Sequence, residues 1–297
     1  MQIGHVAAVP VVELDSLPYS TDMFDDGEDG IGTGAEVEDE LGWMAANCYD
    51  PVEGKLLLSH HAWLLETGRL TILIDPCIGN HKARPALPDY DMLDLPWLER
   101  LAAVGAAPED IDLVLCTHLH PDHCGWNTRL VDGRWVPTFP NALYVFSREE
   151  QSYWSREEIS PAEAYNIGVY DDSVRPVVEA GQAIVIDGGA ELAGCLEIER
   201  GAGHTPGHLF ATLRAGDEGV VFAGDILHHP LQVLHPAWNT RGSWDPAEAR
   251  ASRETVLSRC ADLGYLLAAA HFRAPYALPI ERTAFGGYAI GSAPLPV

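Results

Sequence analysis

Short apolar runs separated by turn residues recur along most of the chain and predict a series of strands. The run at 113–116 is apolar at every position, which is typical of a strand covered on both faces. Thr67 and Gly68 separate two neighbouring runs and predict a hairpin turn. The alanine-rich run at 265–270 fits a helix equally well by propensity. The predicted strands lie at 1–15, 56–58, 63–65, 70–74, 113–116, 143–146, 183–186, 196–198, 220–223 and 265–270.

Helical spacing is clearest between Asp245 and Gly264. Asp245 is a good N-cap, Pro246 suits the first helical position, and Glu248 stands where a capping box places an acid. An apolar stripe follows, and Gly264 predicts the end of the helix. Shorter helices are predicted at 96–104, 149–154 and 161–165. Strands mixed with helices over the whole length predict an α/β protein with helices outside its sheets.

No internal repeat, low-complexity segment or linker interrupts the 297-residue chain, so we expect a single domain over residues 1–297. The segment 20–40 is rich in Asp, Glu and Gly. This composition predicts a solvated loop, with a flap or loop insertion over a site as the alternative.

The net charge limits the classes of partner that the chain can bind. Lys and Arg number 18 against 44 Asp and Glu, a formal net charge of -26. Such a surface repels phosphate backbones and anionic lipids, so we expect neither nucleic acid nor membrane partners. The apolar runs are also far shorter than the roughly 20 residues that cross a bilayer, and the start of the chain lacks the basic segment of a signal peptide.

Six cysteines without CxxC spacing predict reduced thiols and a cytoplasmic protein.

Histidine and aspartate side chains gather directly after the predicted strand at 113–116. The segment THLHPDH at 117–123 holds four potential metal ligands within six residues. In an extended loop, residues two apart point to the same side, so His118, His120 and Asp122 can converge while His123 faces another way. Four such side chains have little structural use, because each needs a polar partner once buried. The segment therefore predicts a metal site with room for two ions.

Three further candidate ligands stand just beyond apolar runs. His204 lies in GHTPGH, Asp225 lies in AGD, and His271 lies in AAAHF. Open α/β sheets collect their functional groups at such strand ends. The three residues are therefore predicted to join the first cluster.

These four motifs, in this order over residues 55 to 275, resemble the metallo-β-lactamase superfamily and its HxHxDH signature. The resemblance implies an αββα sandwich, in which two mixed β-sheets pack face to face with helices on the outer faces. It also implies two divalent metal ions. His118, His120 and His204 would bind the first, Asp122, His123 and His271 the second, and Asp225 would bridge both. Oxygen and nitrogen donors indicate zinc, with manganese, iron or cobalt as alternatives.

The implied reaction is hydrolysis, because two metal ions can hold a bridging hydroxide and polarise a substrate oxygen. Asp122, Asp225 and His228 are the predicted catalytic residues. His228 stands where the N-acyl homoserine lactonases of this superfamily carry a tyrosine, and it is predicted either to donate a proton and contact substrate or to be a wall residue. Trp126 is predicted to line the substrate pocket or to pack in the core.

Several neighbours of the motifs are given structural roles. Asp75 resembles a residue that braces the ligand loop in this family, although a turn-forming aspartate fits equally well. His208 is predicted to make a structural hydrogen bond, and Cys124 to be an inert core thiol. His60 and His61 are predicted to be ordinary sheet residues, with an approach of one of them to the pocket as the alternative.

Bridging Asp225 and the C-terminal segments GYLLAAAHF and FGGY make the chain similar to the branch with quorum-quenching lactonases and methyl parathion hydrolase. The predicted function is hydrolysis of a small neutral lactone or carboxylic ester, with promiscuous phosphotriesterase activity. A glyoxalase-like thioester hydrolase, an iron-dependent persulfide dioxygenase and a non-catalytic metal-binding sensor are the alternatives. The resemblance also implies a homodimer.

Overall fold

The structure, a computed structural model, describes residues 1–25 and 34–292. The chain divides into two units: unit 1 is Met1–Glu13 with His60–Ala193, and unit 2 is Leu14–Ser59 with Gly194–Val297. The prediction of a single domain stays a prediction. The described strands are β1 (Gln2–Ile3), β2 (Val6–Ser20), β3 (Phe24–Asp25), β4 (Tyr49–Asp50), β5 (Lys55–Glu66), β6 (Thr71–Ile74), β7 (Leu113–Leu115), β8 (Thr128–Val131), β9 (Arg134–Pro137), β10 (Leu143–Ser147), β11 (Ala183–Ile186), β12 (Ala190–Leu192), β13 (Leu196–Arg200), β14 (Leu209–Ala215), β15 (Glu218–Gly224), β16 (Asn239–Thr240), β17 (Leu266–Ala269), β18 (Leu278–Arg282) and β19 (Tyr288–Ile290).

Eight α-helices accompany the strands in the described ranges. They are α1 (Gly34–Leu41), α2 (Ala45–Cys48), α3 (Trp97–Ala103), α4 (Pro121–Cys124), α5 (Arg148–Trp154), α6 (Arg175–Glu179), α7 (Leu231–Leu234) and α8 (Pro246–Leu263). Short 3₁₀ turns lie at Thr21–Met23, Gly42–Met44, Pro108–Asp110, Gly125–Asn127 and Pro161–Asn166, and a π turn at Tyr170–Val174. Among the helices that the structure describes, none is long and apolar enough to span a bilayer.

Unit 1 is built on a mixed sheet with the strand order β1-β2-β5-β6-β7-β10-β11. β5 and β6 form an antiparallel hairpin closed by Thr67, whose hydroxyl bonds to the backbone of Leu70, as the sequence predicts. β6, β7, β10 and β11 run parallel, so their carboxyl ends lie along one edge. The apolar run at 113–116 is the central strand of this group, and it is fully covered. Helices α3 and α5 confirm the predictions at 96–104 and 149–154.

Unit 2 is built on a second mixed sheet, in which its strands follow the order β13-β14-β15-β17-β18-β19. β15 and β17 are parallel, and their other neighbours are antiparallel. The alanine-rich run at 265–270 is therefore a strand, because it pairs on both sides within the sheet. Helix α8 confirms the predicted start, since the Asp245 carboxylate accepts from the N–H groups of Ala247 and Glu248. The Glu248 side chain does not complete a capping box but pairs with Arg200.

Two predictions made from local pattern differ from the structure. The runs at 56–58 and 63–65 belong to one strand, β5. The prediction separated them because Ser59, His60 and His61 between them are polar, although all three are buried in the structure. In the segment 20–40, residues 26–33 lie outside the described ranges. Its last part is not a solvated loop but helix α1, which buries Val37 and Leu41 in the core of unit 2.

All six cysteines are free thiols, as the sequence predicts, and five of them are buried. Each unit has its own apolar core. The core of unit 1 surrounds Trp97, Trp126 and Phe146, and that of unit 2 surrounds Phe210, Leu257 and Phe272, among others. The two multi-stranded mixed sheets with helices that the sequence led us to expect are confirmed.

A close approach of two backbone segments supports the end of the ligand loop in unit 1. The Gly125 N–H donates to the Cys77 carbonyl at 2.7 Å, and a Cβ at Gly125 would lie 1.7 Å from the carbonyl oxygen of Ile78. The buried Glu13 carboxylate ties the two segments together by accepting from the Ile78 N–H at 2.7 Å and from Trp126 Nε1 at 2.6 Å. Burial raises the pKa of Glu13 to about 7.

We expect Gly125→Ala to lower the free energy of unfolding by about 3 kcal/mol or more, because the added methyl group meets backbone that cannot move aside. Denaturant titration measures this change. Gly242→Ala is the matched control, since a Cβ there has no neighbour within 4 Å. Equal stability of the two variants would contradict the close approach.

Candidate metal centre

The ligand loop of unit 1 leaves the carboxyl end of β7 and runs directly into α4. His118 and His120 stand in the loop with their rings edge to face, 4.5 Å apart between centroids. The rings of His118 and His123 are 4.0 Å apart, and all three histidines are buried. Asp122 belongs to the first turn of α4 and not to an extended loop, because Pro121 starts the helix. The convergence of these side chains therefore depends on a loop-to-helix transition that residue spacing alone does not reveal.

Asp75 braces this loop. One carboxylate oxygen accepts from the Thr117 N–H at 2.7 Å, and the other accepts from the Thr117 hydroxyl at 2.7 Å and lies 3.1 Å from His123 Nδ1. The Thr117 hydroxyl in turn lies 3.1 Å from His118 Nδ1. The bracing role predicted for Asp75 is confirmed, and it reaches two of the candidate ligands.

Two further residues hold the peptide between His118 and His120. The buried Glu150 carboxylate accepts from the Leu119 N–H at 3.0 Å, and the Asn166 amide donates to the Leu119 carbonyl at 3.2 Å. Sequence reasoning missed both, because neither lies in a motif and the hydrogen bonds span 31 and 47 residues. They fix the backbone of the loop from both sides.

In unit 2, candidate ligands meet at the carboxyl ends of the parallel strands β15 and β17. Asp225 directly follows β15, and one residue separates His271 from the end of β17. His271 Nε2 lies 3.1 Å from Asp225 Oδ1, and His204 Nε2 lies 3.3 Å from Asp225 Oδ2. Arg253 on α8 holds the backbone beyond Asp225 by donating to the Ile226 carbonyl at 3.0 Å. Sequence reasoning missed this buried arginine, because it lies on the apolar side of a helix.

In His123 and His271, the hydrogen bond made by Nδ1 determines which ring nitrogen carries the proton of the neutral ring. His271 Nδ1 lies 2.9 Å from the Ser59 carbonyl, which only accepts, so Nδ1 carries the proton. His123 Nδ1 is assigned its proton in the same way, by the Asp75 carboxylate. In the neutral rings, Nε2 of each histidine then presents a lone pair to a carboxylate, at 3.1 Å from Asp225 for His271 and at 3.6 Å from Asp122 for His123.

Two acceptor atoms held this close repel each other unless a proton or a metal cation lies between them. Neutral imidazole and carboxylate are also the nitrogen and oxygen donors that zinc and related divalent metals prefer. Histidine ligands characteristically donate their other ring N–H to a carboxylate or carbonyl, as His123 and His271 do here. The residues present therefore fit a divalent metal ion in both units.

His228 lies beside the ligands of unit 2. Its Nε2 is 3.1 Å from Asp225 Oδ2, and its ring stacks on that of His271 at 5.5 Å. Burial lowers the pKa of His228 to about 4, against the opposing effect of the Asp225 carboxylate. The ring is therefore neutral at pH 7, with its proton on Nε2 directed at Asp225. Its catalytic role stays a prediction.

Other predicted residues have contacts of their own. Trp126 is buried, stacks on Trp97 at 5.2 Å and donates to Glu13, so it packs in the core of unit 1, and its contact with substrate stays a prediction. His208 accepts from the Asp225 N–H at 3.0 Å, which confirms its structural hydrogen bond. Cys124 is a buried thiol that donates to the His120 carbonyl, and burial raises its pKa.

Two tyrosines approach the ligands of unit 1 without any sequence signal. The Tyr165 hydroxyl lies 3.3 Å from His120 Nε2. The Tyr90 hydroxyl lies 3.3 Å from Asp122 Oδ2 and 2.7 Å from His60 Nε2, so His60 is not an ordinary sheet residue. Tyr90 lies in the loop between β6 and α3, where no periodicity identifies a functional position.

Comparison with known proteins agrees with this geometry. Residues 57–262 match the family described as the metallo-beta-lactamase superfamily. No curated protein matches the chain. Among solved structures, hydrolase AbOPH of the beta lactamase superfamily is similar with a TM-score of 0.81 and 27% identity, covering 100% of this chain and 97% of that one. The dizinc quorum-quenching lactonase AidC, in complex with a product, has a TM-score of 0.76 at 19% identity, with 100% and 97% covered. A probable metal-dependent hydrolase from Staphylococcus aureus has a TM-score of 0.75 at 20% identity, with 99% and 100% covered.

We expect Asp75→Ala to weaken zinc binding by about 10- to 100-fold, because His123 loses the acceptor that fixes its ring. Competition with a chromophoric chelator measures the affinity. Asp112→Ala is the matched control, since this carboxylate in the same unit accepts from the Thr71 N–H instead. Zinc affinity equal to that of the control would show that Asp75 does not support a metal site.

Proposed function

Because the chain belongs to the metallo-β-lactamase superfamily, we propose that it is a dinuclear metal-dependent hydrolase of a small neutral lactone or carboxylic ester. The observation that carries the proposal is the pairing of histidine Nε2 atoms with carboxylate oxygens in both units, at 3.1 Å for His271 with Asp225 and at 3.6 Å for His123 with Asp122. A solved hydrolase of the same superfamily at 27% identity and a lactonase with the same fold support the reaction class.

The proposed ligands are the seven residues of the sequence motifs. The first metal would be held by His118, His120 and His204, the second by Asp122, His123 and His271, and Asp225 would serve both. Within unit 2, one Asp225 oxygen lies 3.3 Å from His204 Nε2 and the other lies 3.1 Å from His271 Nε2. Asp225 thus offers one oxygen to a proposed ligand of each metal, which supports a bridging role. Zinc is the proposed metal, because every donor is nitrogen or oxygen.

When bound, two divalent ions lower the pKa of a water molecule and polarise the carbonyl of an ester or lactone. The chain itself supplies orientation and proton placement. Asp75 and the Ser59 carbonyl keep the protons of His123 and His271 on Nδ1. His228 holds its proton on Nε2, 3.1 Å from Asp225 Oδ2, and we propose that this N–H turns from Asp225 to a substrate oxygen when substrate binds.

A neutral substrate fits the charge of the chain. A net charge of -26 disfavours the approach of anionic substrates, whereas lactones, esters and phosphotriesters carry no charge to repel. The side chains around His120 include the rings of Trp154 and Tyr165, which offer apolar surface beside a candidate ligand. We therefore place phosphotriester hydrolysis as a promiscuous activity of the same site.

Metal quantification combined with a substrate panel tests the proposal. We expect about two zinc ions per chain, hydrolysis of an acyl homoserine lactone or aryl ester, and loss of turnover on chelation that zinc restores. Methyl parathion tests the promiscuous activity. Asp225→Asn should lose turnover, whereas the exposed Asp217→Asn should keep it.

Three outcomes would overturn this assignment. Iron with oxygen-dependent turnover of a persulfide would indicate a dioxygenase, and hydrolysis confined to glutathione thioesters would indicate a glyoxalase-like enzyme. Two bound metals with no turnover of any substrate would indicate a metal sensor.

We expect His228→Ala to keep two metal ions but to lower kcat by about 100-fold, the usual contribution of a positioned proton donor. Metal analysis and steady-state kinetics measure the two effects separately. His235→Ala is the control, because this histidine pairs with Glu40 on the surface. Unchanged turnover would remove His228 from the reaction.

A further inference from the structure

A hydrogen-bonded chain of three side chains in unit 1 ends on a candidate metal ligand. His60 Nε2 lies 2.7 Å from the Tyr90 hydroxyl, and that hydroxyl lies 3.3 Å from Asp122 Oδ2. His60 is 1% exposed and Tyr90 is 7% exposed, so water competes little for these contacts. The rings of His60 and Tyr90 meet edge to face at 5.3 Å.

The chemistry of the groups fixes the direction of the chain. An ionised carboxylate only accepts, so the Tyr90 hydroxyl donates to Asp122. The hydroxyl oxygen then accepts from His60, which places the His60 proton on Nε2. Since His60 lies within strand β5, the chain connects Asp122 to the backbone of the sheet.

The oxygen that receives this hydrogen bond is also the one nearest to His123. Asp122 Oδ2 lies 3.6 Å from His123 Nε2, the nitrogen that Asp75 leaves without a proton. A carboxylate oxygen has two lone pairs. One can therefore point at Tyr90 while the other shares a cation with His123.

We propose that Tyr90, supported by His60, is a positioning residue that fixes Asp122 Oδ2 as the oxygen for the second metal ion. The inference rests on the proposed function, because it assigns a role toward one of the two proposed metals. The terminal torsion of an aspartate is broad, so a hydrogen bond of this kind restricts the orientation of the carboxylate on the first turn of α4. Hydrogen bonds of this kind to ligating carboxylates tune metal affinity.

Tyr90→Phe tests this role, because it removes only the hydroxyl. We expect the zinc affinity of one of the two sites to fall about 10- to 100-fold while the other site is unchanged. Competition with a chelator measures both affinities, and the absorption spectrum of the Co²⁺-loaded protein reports the geometry of the altered site. We also expect kcat to recover at excess zinc with KM unchanged, since the substituted residue does not contact substrate.

Tyr144→Phe is the matched control. Tyr144 is also a buried tyrosine of unit 1, but its hydroxyl donates to the Asn127 carbonyl and accepts from the Phe139 N–H. We expect this variant to lose stability and to keep both zinc affinities. Thermal melting of the metal-free proteins separates folding from metal binding.

His60 supplies a second test of the chain. His60→Gln keeps an N–H donor for the Tyr90 oxygen and should retain zinc affinity close to that of the original protein. His60→Leu removes the donor and should weaken the same site as Tyr90→Phe, by a smaller factor.

The outcomes separate this inference from the proposed function. If Tyr90→Phe binds two zinc ions with unchanged affinities and an unchanged cobalt spectrum, the positioning role is wrong and the hydrolase proposal stands. If the original protein binds no divalent metal, the proposed function itself fails.

Discussion

The protons on His123 Nδ1 and His271 Nδ1 determine what the rest of the site can do. Each is held by an acceptor outside the candidate centre, the Asp75 carboxylate in one case and the Ser59 carbonyl in the other. The opposite nitrogens then face carboxylates with their lone pairs, which is unfavourable without a cation. Folding thus creates a charge arrangement that metal binding relieves, and stability and metal affinity become linked quantities.

The backbone makes this arrangement rigid by presenting ligands at strand ends and helix starts. Asp225 and His271 follow adjacent parallel strands, so the register of β15 and β17 sets their separation. The ligand loop of unit 1 has no such partner strand. It depends instead on Asp75, Glu150 and Asn166, which satisfy its polar groups from three directions. Sites held by rigid elements and satisfied neighbours keep their geometry when the ligand is absent.

The parts of the fold and site that are local in sequence could be predicted, and those that depend on distant contacts could not. The strand before THLHPDH, the hairpin at Thr67 and the capped helix at Asp245 follow from short-range rules, and the structure contains them. The polar residues in the middle of β5 led to a prediction of two short strands instead of one long one. These residues are buried within the strand, which their hydropathy does not indicate. Tyr90 and His60 reach Asp122 from far away in the sequence, and Glu150 reaches Leu119 across 31 positions, so no spacing rule could find them. For Trp126, proximity in sequence to a motif is weak evidence of function, since its ring packs against Trp97 in the core of unit 1.

The net charge of -26 connects the site to the proposed reaction. A strongly negative protein attracts divalent cations and leaves neutral esters and lactones unaffected. Hydrolysis of either substrate produces a carboxylate, which the same field repels. The charge therefore favours release of the product without weakening the binding of a neutral substrate. A basic pocket would instead bind the carboxylate product and slow its release. The negative charge of the chain is thus a physical reason to favour neutral acyl substrates over anionic ones.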